Sequence, residues 1–195
     1  MHRVVITGAG TINPLAQDVT GTYAAFKEGR CGIGLLDIRD KDRLSIKIGG
    51  QVLNWNSEAH FSRKEIVLYD KYTQFALLAA RQAIAQSGLS FNGNLGYEAG
   101  VILGTAGGGV NTWDENYRVV YEEGKNRVHP FVVPKLMNNA AASHVAIAYN
   151  IKGPSYTVAT ACASSNHAMG QAFMMIKAGQ SRVIVTGGSE SMLCF

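Results

Sequence analysis

Tyr156-Thr157-Val158-Ala159-Thr160-Ala161-Cys162-Ala163-Ser164-Ser165-Asn166-His167 is the stretch on which the fold turns, an apolar strand-like run that meets small residues and then a helix-like run. A thiol on a tight strand-to-helix turn is held clear of the strand. The first turn of the following helix adds unpaired N–H groups and the positive end of a dipole. Both favour the thiolate, the form of sulfur that attacks carbonyl carbon. Free cysteine is also among the most buried residue types, so on position alone a packing role stands beside the nucleophilic one.

Outward from this turn, strand-like runs recur at Arg3 to Thr7, Ile46 to Leu53, Ala99 to Gly104, Ser155 to Ala159 and Arg182 to Thr186. Helix-like runs lie between them. The clearest is Glu65 to Ser87, where Ile66, Tyr69, Phe75, Leu78, Ala79 and Ile84 keep one apolar face and Gly88 supplies a stop. Others are Val19 to Glu28 before Gly29, Thr112 to Glu123 before Gly124, Lys135 to Tyr149 ahead of Gly153-Pro154, and Ala163 to Ala178 before Gly179. Strands alternating with helices predict an α/β fold with a mostly parallel, helix-covered sheet. No linker or short repeat divides residues 1–195, which read as one domain. The last strand-like run is followed only by Gly187-Gly188-Ser189-Glu190-Ser191 and apolar Met192-Leu193-Cys194-Phe195, the expectation being a chain cut inside a larger architecture.

Composition narrows the class. With 47% hydrophobic and 16% charged residues, the 195-residue chain can bury one substantial core as a soluble globular domain. Cysteines at 31, 162 and 194 have no metal-ligand spacing and leave one unpaired, which argues for a reducing compartment and makes cytoplasm the expected location. The start, Met1-His2-Arg3-Val4-Val5-Ile6, has no signal-peptide pattern, and no apolar run reaches the roughly 18 to 20 residues that span a bilayer. A net charge of +4, spread along the chain, does not form the dense basic stripe of a nucleic-acid binder.

Three glycine motifs fail on spacing. Val4-Val5-Ile6-Thr7-Gly8-Ala9-Gly10 opens like a dinucleotide-binding unit, but Asn13 stands where glycine or alanine is needed and Pro14 follows. A nicotinamide-binding oxidoreductase is therefore disfavoured. Gly107-Gly108-Gly109 lacks the G-K-[ST] of a phosphate loop, and Gly187-Gly188-Ser189-Glu190-Ser191 ends in serine where a hydrolase elbow needs glycine. Among the histidines, His167 falls on a different helical face from Cys162, His144 sits in an apolar segment as a core histidine, and His2, His60 and His129 read as surface or loop positions. No pair has metal-ligand spacing, so no metal or cofactor is expected, and Cys162 has no evident base in this chain.

Several short motifs occur in a specific order. They are Arg3-Val4-Val5-Ile6-Thr7-Gly8 with Asn13-Pro14-Leu15, Phe61-Ser62-Arg63-Lys64, Gly104-Thr105-Ala106-Gly107-Gly108-Gly109, and Pro130-Phe131-Val132-Val133-Pro134 with Asn138-Asn139. Gly153-Pro154-Ser155, the Thr160-Ala161-Cys162-Ala163-Ser164-Ser165 block and Val185-Thr186-Gly187-Gly188-Ser189-Glu190 complete the set. Over the whole chain this resembles the amino-terminal half of a beta-ketoacyl-[acyl-carrier-protein] synthase, closest in style to the elongating type II enzymes of the thiolase superfamily. The resemblance implies half of a five-layered α-β-α-β-α sandwich, incomplete without a carboxy-terminal half.

By that resemblance Cys162 matches the cysteine that takes an acyl group as a thioester, with its own N–H as one oxyanion donor. The two histidines, the lysine, the phenylalanine gate and the second oxyanion donor of the decarboxylative step belong to the family's other half. Gly107 matches a position where elongating synthases often carry a larger aliphatic residue at the bend of the acyl tunnel. That implies room for long or unusually shaped acyl chains, with glycine kept for backbone geometry as the alternative. Phe131, Val133 and Met137 match residues that line a partner's tunnel across a homodimer, or are ordinary core. Arg63, Lys64, Lys125 and Arg127 fall near positions that meet the acidic acyl carrier protein, or form a solvated face. The expected partners are thus the carrier protein, acyl and malonyl thioesters, and a second copy or companion half. The rivals are a non-extending subunit or other acyltransferase of the same fold, and an inactive fragment. The retained cysteine argues against a chain-length partner.

Overall fold

In the computed structural model, which describes residues 2–194, the elements alternate broadly as the apolar runs require. Helix α1 (Val19–Lys27) precedes a small antiparallel pair, β1 (Ile33–Leu35) with β2 (Ile48–Gly50). Helices α2 (Arg63–Leu68), α3 (Lys71–Ser87) and α4 (Asn94–Glu98) lead into β3 (Ala99–Gly104). Then come α5 (Val110–Tyr121), α6 (Val132–Leu136), α7 (Ala140–Tyr149), β4 (Ser155–Val158), α8 (Ser164–Lys177) and β5 (Val183–Gly188).

Strand β3 is the centre of a parallel sheet of order β4-β3-β5, in register from Val101↔Ser155 to Gly104↔Val158 on one side and from Ala99↔Val183 to Gly104↔Gly188 on the other. All six of its residues are buried, as a near-continuous apolar run in a doubly covered strand should be. The period of two then sorts its side chains. Val101 and Leu103 join Ala76, Leu77 and Ala80 of α3 and Ala142 and Val145 of α7 in one core. Ile102 joins Ala168 and Ala172 of α8 in the other. The result is three layers: α3 and α7, the sheet, and α8. The alanines of α7 and α8 let these helices approach the sheet closely.

The predicted α/β class with a parallel, helix-covered sheet is the architecture observed, while several element boundaries differ for identifiable reasons. Glu65 to Ser87 is two helices rather than one. Ser62 and Glu65 form a reciprocal capping box that opens α2, and Asp70 then ends the run by capping α3 through the Tyr72 N–H at 3.3 Å. Lys135 to Tyr149 also divides, because the carbonyls of Met137 and Asn138 turn outward to accept from the buried Tyr72 hydroxyl at 2.6 and 3.4 Å. Ile46 to Leu53 contracts to the three residues of β2.

Arg3 to Thr7 is not a strand. The segment lies across α3, where Gly8 and Gly10 sit against the carbonyls of Ala83 and Ala79 with no room for a Cβ. The side chains of Gln86 and Gln82 accept from the Ala9 and Thr11 N–H groups at 2.7 and 3.1 Å. Val5 and Ile6 are left 59% and 91% exposed, so this apolar run joins no sheet, and it is the residues just after it that are held on the helix. Of the apolar end Met192 to Phe195, Phe195 lies outside the described residues, as does Met1. No helix among the described residues is long and apolar enough to cross a membrane.

Tyr72, fully buried, makes its hydroxyl bond across 65 residues of sequence. Tyr72→Phe removes the donor that the Met137 carbonyl takes from the buried hydroxyl, and the expected cost is about 1 kcal/mol, read as a lower denaturation midpoint in urea.

Candidate active site

Strand β4 ends at Val158 and α8 begins at Ser164, which leaves five residues to reverse direction, with Cys162 at the exposed outer side of the bend. The reversal forces Ala161 into the left-handed region, φ +50°, a conformation that costs a non-glycine residue on the order of 1 kcal/mol. Ser164 holds the strained turn closed. Its buried hydroxyl accepts from the Thr160 N–H at 2.8 Å and donates to the Ala161 carbonyl at 2.7 Å. The N–H groups of Ala163 and Ser164 are used inside the turn, donating to Thr160 and Ala161 at 3.1 Å each. That of Cys162 makes no such bond among the described residues. The thiol and its own amide are therefore both presented at the N-terminal end of a 14-residue helix.

The sheet supplies the floor beneath this turn. At Gly104, the last residue of β3, a Cβ would collide with the Ser164 carbonyl; at its register partner Gly188 a Cβ would come within 2.7 Å of Ser165 Cβ. Two side-chain-free strand ends thus let the first turn of α8 rest directly on the backbone.

Beside the floor runs the loop Thr105 to Gly109, and a residue that the sequence reading gave no role fixes it. The Glu190 carboxylate accepts from the N–H groups of Ala106 and Gly107 at 2.6 and 3.3 Å and from the Thr105 hydroxyl at 3.2 Å. Thr105 Oγ1 accepts in turn from the Gly108 N–H at 3.1 Å. An acidic residue just past a Gly-Gly strand end was the available signal, but its partners lie more than 80 residues away. Asp70 was missed in the same way. It is 2% exposed, and its carboxylate accepts from the N–H and hydroxyl of Thr112 at 2.8 and 2.7 Å.

The other sequence candidates are distributed around this centre. Gly107 is half-buried in the loop that Glu190 holds. Phe131, Val133 and Met137, on and beside α6, are 48%, 56% and 38% exposed, so in this chain they are surface rather than core. Arg63 and Lys64 open α2, exposed and without an ion pair among the described residues; Lys125 and Arg127 follow α5, exposed, with Lys125 paired to Glu123 at 2.6 Å. Cys162 precedes α8 rather than belonging to it, and His167, exposed on the first turn and a half of that helix, makes no hydrogen bond to it. Two surface hollows of about 630 and 590 Å³ lie elsewhere, one lined by Pro14, Val19, Phe26 and Ile33, the other by His167, Gln171 and Met174. No group of three or more metal-ligating side chains comes together among the described residues.

His144 is a packing histidine, half-buried with its ring 4.6 Å from Tyr69, and burial holds its pKa below the ordinary imidazole value. The unfolded chain then binds the proton first, so stability is full above about pH 6.5 and declines as pH falls below it. His144→Gln should flatten that part of a stability profile measured by urea unfolding between pH 7 and pH 5. For the turn, Ser164→Ala takes the acceptor from the half-buried Thr160 N–H, with an expected loss of about 1 kcal/mol in the same assay.

Comparison with known proteins agrees with this geometry. The family described as "Beta-ketoacyl synthase, N-terminal domain" matches residues 1–195. The chain is 35% identical over 189 residues to a 3-oxoacyl-[acyl-carrier-protein] synthase 2 of Staphylococcus aureus (strain N315), covering 97% of this chain and 46% of that protein. To the synthase of the same name from Synechocystis it is 32% identical over 191 residues, again covering 46% of the relative. The chain thus spans about half the length of the curated relatives it matches. Among solved structures, the ishigamide ketosynthase/chain length factor superposes with a TM-score of 0.85 at 22% identity, over 96% of this chain and 47% of that one. A type II polyketide ketosynthase in complex with its acyl-carrier protein superposes with a TM-score of 0.78 at 21% identity, over 96% and 51%. These likenesses show the thiolase-type fold, and the chain belongs to the beta-ketoacyl synthase family, as its N-terminal domain.

Proposed function

We propose that this chain is the nucleophile-bearing half of a condensing enzyme of fatty-acid or polyketide type, in which Cys162 carries the growing acyl chain. The observation that carries the reading is the presentation of Cys162, exposed on a strained turn at the start of α8, with no backbone partner for its own amide among the described residues. In the first half-reaction the Cys162 thiolate attacks the carbonyl carbon of an acyl thioester. The tetrahedral oxyanion takes the Cys162 N–H as one donor, the carrier thiol leaves with a proton, and a thioester of similar energy is formed. The acyl chain is stored without loss to water. In the second, malonyl-carrier thioester loses carbon dioxide and the resulting carbanion equivalent attacks the stored acyl carbonyl; the carbon–sulfur bond to Cys162 breaks, the thiolate is released, and the chain, now two carbons longer, leaves on the carrier. The histidines and lysine for that step would come from the carboxy-terminal half of the family fold.

The remaining assignments follow from position. Gly107, with Phe131, Val133 and Met137 from the second copy of a homodimer, would line the acyl channel; the exposure of those three apolar side chains in a single chain supports a role at such an interface. The solvent-exposed Arg63, Lys64, Lys125 and Arg127 would receive the acidic carrier protein in the cytoplasm.

The test is mass spectrometry of the chain, together with its complementary half, after incubation with an acyl thioester. A mass increase of one acyl group on the peptide that contains Cys162 is expected, and its absence would overturn the reading. Charge reversal at Arg63 and Lys64 should raise KM for acyl-carrier protein about tenfold at low salt with little change in kcat, an effect that fades as salt screens the approach.

A further inference from the structure

The space beside Gly107 is not empty. A Cβ built there would meet Met192 Cε at 3.1 Å, Met192 Sδ at 3.5 Å and Val110 Cγ2 at 2.9 Å, so the volume that a side chain at 107 would claim is already shared by a methionine. Met192 reaches this position on a tethered backbone. Just ahead of it the Ser189 N–H donates to the Gly104 carbonyl at 3.0 Å and the Ser189 hydroxyl to the Tyr72 carbonyl at 2.6 Å. Glu190 is bonded to the loop that contains Gly107, and the Ser191 carbonyl accepts from Asn111 Nδ2 at 2.6 Å. A fixed backbone thus carries an unbranched, flexible thioether whose tip rests on a glycine, while 42% of the residue stays open.

We propose that Met192 is the residue that sets acyl-chain length in this enzyme, a movable stop in the place left by the missing side chain at 107. This rests on the reading that Cys162 is acylated and that Gly107 faces the acyl channel. The room implied by glycine at 107 is then conditional. A short chain meets the thioether in its resting position, and a longer one enters only as Met192 rotates away, at the cost of its packing beside Gly107. Methionine suits this role because its three side-chain torsions can repack without moving the backbone. Selectivity between chain lengths is then graded rather than absolute.

The experiment uses the complete enzyme, with both halves present, and compares the rates at which Cys162 is acylated by hexanoyl and hexadecanoyl thioesters. Met192→Ala should raise the long-to-short rate ratio about tenfold, the scale on which apolar pockets discriminate a few methylenes, and Met192→Phe should lower it. Met192→Leu, which keeps the volume, should leave the ratio near that of the unsubstituted enzyme. An unchanged ratio in both the alanine and phenylalanine variants, with Cys162 still acylated, would overturn the role of Met192 while sparing the proposed function. Failure of the unsubstituted enzyme to form any adduct on Cys162 would remove the proposed function, and this inference with it.

Discussion

The buried carboxylate of Asp70 is the constraint on which the surroundings of Cys162 depend. It caps α3 through Tyr72 N–H, and its second oxygen takes both the N–H and the hydroxyl of Thr112 in the first turn of α5. A carboxylate can be buried at tolerable cost only when it is richly hydrogen-bonded, and these donors supply that compensation. Anchoring α5 to α3 fixes where the Thr105 to Gly109 loop must end. Two residues on, Tyr72 holds the α6–α7 junction with its hydroxyl and the Ser189 side chain with its carbonyl. One helix start thus positions three segments from distant parts of the chain.

The geometry at Cys162 follows from two further economies. Glycines at the paired ends of β3 and β5 remove the side chains that would lift α8 off the sheet, and Ser164 offsets the left-handed backbone at Ala161 with two hydrogen bonds. The thiol therefore stands on a rigid base although its own side chain is open to solvent. Rigidity below and access above are what the proposed role of Cys162 would require, since an incoming carbonyl must be met at a defined angle.

Much of this was readable from sequence where the signal is local. The apolar runs of β3, β4 and β5, the glycines that stop α1 and α3, and the small residues around Cys162 each announce themselves within a few positions. What sequence periodicity did not resolve depends on pairing across the chain. The break at Tyr69-Asp70 serves Thr112, the break at Met137-Asn138 serves Tyr72, and Glu190 serves a loop more than 80 residues earlier. Each looks unremarkable until its partner is known. Arg3 to Thr7 misled for the opposite reason. Its residues have strand propensity, but two glycines and two glutamine side chains give its neighbours a place on α3 instead. The strand-to-helix turn that carries Cys162 was thus legible, whereas the clamp that shapes the space beside it was not.

The strand order β4-β3-β5 leaves β5 with hydrogen-bonding partners on one side only among the described residues. Its other side presents a row of backbone donors and acceptors, and the same chain carries, in Val4-Val5-Ile6, a β-branched segment unattached to any sheet. An open edge and a spare strand in one molecule are the ingredients of exchange between copies, in which the segment of one chain adds to the sheet of another. Assembly order then becomes a kinetic matter. At high chain concentration such pairing between copies competes with folding of each chain by itself, so dilution favours the unexchanged form.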